Sequence, residues 1–94
     1  MKHHIIVKWN ETVADKKAII APIRELYNGC SAIDGVRGAE LIENCIDRAN
    51  RFDLMIVVEM DKDALPAWDS SDVHKRWKAE YSDRIAAKTI FDCE

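Results

Sequence analysis

The chain has 94 residues, 48% of them apolar and 33% charged, with a formal net charge of −3. That length makes one domain, residues 1–94, whose thin core removes roughly 60–65% of the unfolded chain's surface from water. No segment concentrates Lys or Arg, which argues against a nucleic-acid groove, and the longest apolar run, Leu54-Met55-Ile56-Val57-Val58, is far too short to span a bilayer.

Lys2 to Trp9 reads as a strand rich in β-branched residues, with His3, Ile5, Val7 and Trp9 on one face and His4, Ile6 and Lys8 on the other. It begins almost at Met1, so no signal peptide is expected before it. Thr12 is placed to cap a helix, with Asp15 three residues on. Ile19, Ile20, Ile23, Leu26 and Tyr27 then form one apolar stripe. Pro22 inside this pattern predicts a local kink, and Asn28-Gly29 an end.

Asp34-Gly35 marks a turn. Val36 to Glu43 reads as a second strand in which Gly38 predicts a bulge or a close backbone approach. A polar connection over Asn44 to Asn50 leads to a third strand, Phe52 to Met60. Its middle is apolar at every position, which predicts a central strand covered on both faces. Asp61 is expected to cap a short helix over Lys62–Asp69, with Pro66 an awkward interior residue. Ser70-Ser71-Asp72 opens another helix, about Asp72–Arg84, and Lys88 to Cys93 closes the chain as a fourth strand.

The order β-α-β-β-α-β with right-handed crossovers gives an α+β, ferredoxin-like protomer: a four-stranded antiparallel sheet with helices on one face. The other sheet face, expected to carry Ile6, Val57 and Ile90, is left bare. A second copy packed on it about a two-fold axis is the simplest cover.

His74 is the first candidate for chemistry. Trp77 and Tyr81 follow it at i+3 and i+7, so it shares the apolar side of its helix. An imidazole there can act as a general base, or can sit in the first helical turn, bonded to a capping group and packed on Trp77. His3 shares the Ile5 side of the first strand. Trp68, Trp77, Tyr81, Ile5, Ile56 and Val58 line an apolar pocket or simply fill the core, and Tyr27 is a further phenol within the pattern. Cys30, Cys45 and Cys93 form no close pair, which predicts free thiols in a reducing cytoplasm, and neither a metal nor an organic cofactor is expected.

Several segments together resemble the stress-responsive A/B barrel (Dabb) family. They are Lys2-His3-His4-Ile5-Ile6-Val7-Lys8-Trp9, Ile33-Asp34-Gly35-Val36, Phe52-Asp53-Leu54, the stretch from Trp68 through His74, and Ile90-Phe91-Asp92. The resemblance implies a homodimeric α+β barrel built from two ferredoxin-like sheets. The family includes plant stress-induced proteins and a plant polyketide cyclase whose pocket lies between sheet and helices, lined by a strand histidine, a helix histidine and a tyrosine. His3 and His74 match the two histidines. Trp68 stands at the tyrosine position, and Ser71-Asp72-Val73-His74 lacks the proline that often precedes the helix histidine. An indole N–H donates a hydrogen bond but cannot give up a proton as a phenol does.

Two functions follow as expectations. One is a homodimeric stress-responsive A/B barrel protein holding a small hydrophobic molecule in a pocket between sheet and helices. The alternative is a cofactor-independent cyclase or lyase in which His74, with His3, moves protons beside a carbonyl of a polyketide-like substrate. A cofactor-free monooxygenase is a third option, resting on fold analogy alone.

Overall fold

A computed structural model describes residues 1–94. The elements are β1 (Lys2–Trp9), α1 (Ile20–Tyr27), β2 (Val36–Glu43), β3 (Leu54–Met60), α2 (Leu65–Asp69), α3 (Asp72–Tyr81) and β4 (Ile85–Cys93). The strands form one antiparallel sheet in the order β2-β3-β1-β4, the ferredoxin-like arrangement that the element order implied. Register fixes the faces. Ile5 pairs with Ile56 on one side and Ile90 on the other, and His3 with Val58 and Asp92.

The helices cover the face formed by His3, Ile5, Val7 and Trp9 of β1 and Leu54, Ile56, Val58 and Met60 of β3, all of them buried. Against these pack Ile19, Ile20, Ile23, Leu26 and Tyr27 from the α1 region, Trp68 of α2, and Val73, Trp77 and Tyr81 of α3. The apolar stripe read from the sequence is therefore the buried stripe. Gly38 also behaves as expected, since the β2–β3 register slips between Val36 and Gly38. Gly35 turns with φ +83°, where an added Cβ would meet the Ala64 Cβ at 2.8 Å, so both its conformation and its neighbour demand glycine.

Several local expectations are corrected. The first helix begins at Ile20, not after a Thr12 cap. Asn10 Oδ1 accepts the Thr12 N–H, and Asp15 Oδ1 accepts the Lys17 and Ala18 N–H groups. These short side-chain bonds hold residues 11–18 in turns that compete with helix. Pro22 consequently lies in the first helical turn, where no N–H donor is needed, and produces no break in α1. Asp61 makes no side-chain cap. Its carboxylate binds Arg37 at 2.6 Å, while its carbonyl accepts the Ala64 N–H. Pro66 is not interior either, for it stands in the first turn of α2.

The uncovered face differs from expectation in one residue. Ile90 is in register with Ile5 and lies on the helix side, at the β4 edge beyond the helical cover, where it is 47% exposed. Phe91 takes the open-face position instead and is 60% exposed. Two cross-strand rows make the middle of that face: Ile42, Met55, Ile6 and Thr89, then Glu40, Val57, His4 and Phe91. Thus β3 is central, yet in the single chain its Met55 and Val57 are only half covered, while its other face is fully packed.

Candidate functional site

Five polar or aromatic side chains from five elements converge at one end of the core. Trp68 lies at the centre and is wholly buried. Its ring centroid is 5.5 Å from His74, 5.8 Å from Tyr27 and 6.3 Å from His3. Asp92 completes the group, with Oδ1 2.6 Å from His3 Nδ1.

A short serine turn places Trp68 against His74. The Ser71 hydroxyl donates to the Trp68 carbonyl at 2.7 Å and accepts the His74 backbone N–H at 3.2 Å, which makes Ser71 the N-cap of α3. His74 Nδ1 lies 3.0 Å from the Asp69 carbonyl. A carbonyl only accepts, so Nδ1 carries the proton and a neutral His74 keeps its lone pair on Nε2. The same reasoning holds for His3 when Asp92 is ionised: the carboxylate accepts from Nδ1 and leaves Nε2 as the basic nitrogen. The Asp92 side chain is 38% exposed, so this pair links a buried imidazole to the protein's edge.

Two buried donors here have no partner among the protein's atoms, the Tyr27 hydroxyl and Trp68 Nε1. An unmet buried donor costs about 1–3 kcal/mol. Burial pushes the Tyr27 phenol far above its ordinary value, with Cys30 adding to the effect, so Tyr27 stays a proton-bearing donor. Burial likewise pushes the Cys30 thiol up, which keeps it from serving as a nucleophile.

All seven residues expected around a pocket, Ile5, Tyr27, Ile56, Val58, Trp68, Trp77 and Tyr81, are core residues. They divide into two groups. Tyr27 and Trp68 stand with His3 and His74. Trp77 and Tyr81 stack at 5.1 Å and pack with Trp9 at the other end of the aromatic row, Tyr27 joining the two ends through a 5.7 Å edge contact to Trp77. His74 therefore meets Trp68, not the Trp77 that its helical spacing suggested. Asp92 was missed as a site residue. Its signal was the closing alternation, which places Ile90 and Asp92 on one face of the last strand, but only the β1–β4 register sets that face beside His3.

Elsewhere, a surface cleft of about 520 Å³ lies between residues 14–20 and the β2–β3 connection. Its wall includes the Lys16–Asp53 pair at 3.0 Å, whose hydrogen bond raises the Lys16 ammonium's pKa. It is lined by both signs of charge and touches neither His3 nor His74. No three His, Cys, Asp or Glu side chains come together to hold a metal ion, and no helix is long and apolar enough to cross a membrane.

No family model matches the sequence, and no curated protein matches it. Solved structures do match its fold. A dimeric ferredoxin-like protein of unknown function from Thermobifida fusca superposes with a TM-score of 0.77 at 20% identity, covering 96% of this chain and 85% of that one. A Dabb family protein with a ferredoxin-like fold from Mesorhizobium loti gives 0.73 at 12% identity, covering 99% and 93%. A hydroxynitrile lyase from Passiflora edulis gives 0.72 at 12% identity, covering 96% and 87%. The resemblance to the A/B barrel family thus holds at the level of the fold, and at these identities the likeness speaks to fold alone.

Proposed function

We propose that the protein is a homodimer, paired through its open sheet face, that holds a small hydrophobic molecule carrying a hydrogen-bond acceptor between sheet and helices, against Trp68. The observation that carries the ligand is the pair of buried donors with no acceptor in the protein, Tyr27 Oη and Trp68 Nε1, on rings whose centroids are 5.8 Å apart. A ketone, aldehyde or ester oxygen supplies what both lack, and the surrounding aromatic and aliphatic surface suits the rest of such a molecule. The exposed Ile90, on the helix side next to Asp92, offers an apolar shoulder at the edge. For the dimer, support comes from the half-covered Ile6, Met55 and Val57 with the exposed Ile42 and Phe91, and from the dimeric neighbour of the same fold.

Calorimetric titration with cyclohexanone, and with cyclohexane as the control lacking an acceptor, tests the ligand reading. Saturable binding of the ketone alone is expected, weakened about fivefold or more in Tyr27→Phe, the loss of one hydrogen bond. Equal binding of both molecules, or no binding of either, contradicts it.

A second reading is favoured by the His3–Asp92 contact at 2.6 Å. A carbonyl held by the two donors is polarised, and its neighbouring C–H becomes acidic. His74 Nε2, or His3 Nε2, then takes that proton while the C–H electron pair passes into an enolate whose oxygen the donors stabilise. This is the step a cofactor-independent cyclase or lyase needs. Deuterium exchange at the carbons beside the cyclohexanone carbonyl, lost in His74→Gln or in His3→Gln according to which ring is the base, separates catalysis from binding alone.

A further inference from the structure

The centre of the open face holds a titratable group that the proposed ligand site does not use. His4 stands there between Val57 of β3 and Phe91 of β4, in register with both. Its ring meets the Phe91 ring edge-on at 6.1 Å, and Nδ1 donates to the Phe91 carbonyl at 2.9 Å. With the Nδ1 proton held by that carbonyl, a second proton would enter at Nε2 and make the ring cationic.

The charges facing His4 do not offset one. On its own strand the same-face neighbours are Lys2, which is cationic, and Ile6, with cationic Lys8 beyond Ile6 and bonded to the Ala49 carbonyl. From β3, Glu59 is in register with Lys2, one position along from the His4 row, and is solvent-exposed, with Arg37 3.7 Å away. From β2, Glu40 shares the His4 row but lies beyond Val57, two strand spacings or about 9–10 Å away. From β4 the titratable neighbour is Cys93, opposite Lys2, a thiol and not an anion near neutral pH.

We infer that His4 makes the homodimer pH-sensitive: protonation places one uncompensated charge per copy in the apolar sheet-to-sheet interface and releases the two chains. This rests on the dimer reading above. The sign follows directly. A charged imidazole costs more to bury between two apolar sheets than a neutral one, so the dimer is expected to be tighter near neutral pH and to weaken on acidification.

Sedimentation equilibrium at about pH 7.5 and about pH 5.5 tests it. The wild-type dissociation constant is expected to rise about tenfold or more on acidification, since two copies titrate together. His4→Gln, which keeps a donor without the titration, should change less than about twofold, while His74→Gln should respond as the wild type does. Circular dichroism confirms that each variant is folded, and His4→Phe serves as a second neutral replacement. A dimer equally tight at both pH values overturns this inference alone, as does a full response in both His4 variants. A wild-type monomer at about pH 7.5 overturns the dimer reading and this inference with it.

Discussion

Ile6→Asp is expected to leave a folded protein that no longer dimerises. Ile6 lies in the middle of the open face, beside Met55 and Thr89, with its side chain directed away from the helix-covered core. In the free chain the new carboxylate meets water, so the fold loses little. In the dimer the same carboxylate is buried against apolar side chains of the second copy, twice over, with the cost of an unpaired charge each time. Several kcal/mol in all, on the order of a thousandfold or more in the dissociation constant, is the expected penalty. Sedimentation equilibrium reads it, with circular dichroism as the check on folding. An Ile6→Asp dimer as tight as the wild type would place the interface elsewhere.

Trp68→Ala is expected to destabilise the fold by about 3–5 kcal/mol, the usual range for removing a buried tryptophan. In a chain of this size that lowers the melting temperature by roughly 15 °C or more. The reason is position: Trp68 is wholly buried and touches aromatic rings from β1, α1 and α3 at once. Trp68→Phe is expected to cost far less than Trp68→Ala. It keeps most of the apolar volume and removes an indole N–H that has no protein acceptor, so no internal hydrogen bond is lost. Urea unfolding at matched protein concentration measures both, because unfolding of a dimer depends on concentration. A Trp68→Ala cost below about 1 kcal/mol would mean that Trp68 is not the keystone of this end of the core.

The fold was legible wherever periodicity met burial. Alternation along β1, the stripe from Ile19 to Tyr27 and the apolar run of β3 each lie where they were expected. Misreadings came from short polar side chains and prolines. Thr12 and Asp61 look like caps by type, but Asn10 and Asp15 take the backbone donors near Thr12, and Arg37 takes the Asp61 carboxylate. Such competition depends on partners distant in sequence or on turn geometry, and residue type does not encode it. Pairing register is the other gap. Alternation puts Ile90 and Asp92 on one face of their strand, yet only the Ile5–Ile90 pairing sends both to the helix side. That one fact moves Ile90 off the open face, puts Phe91 on it, and brings Asp92 to His3. Of the site, His3 and His74 were legible from position and from the family resemblance. The isolation of the Tyr27 and Trp68 donors was not, since a missing acceptor is a property of packing.

Whether a carbonyl compound reaches the buried donors is read from the indole N–H resonance of Trp68, followed in a proton–nitrogen correlation spectrum during titration with cyclohexanone. Trp9, Trp68 and Trp77 contribute one such signal each, and Trp68→Phe identifies the relevant one. A saturable downfield shift of the Trp68 signal is expected as a carbonyl oxygen accepts its hydrogen bond, with no such shift from cyclohexane. A Trp68 signal that stays fixed while the ketone is raised to millimolar concentration would contradict it, and the end of the core around Trp68 would then be packing without a ligand.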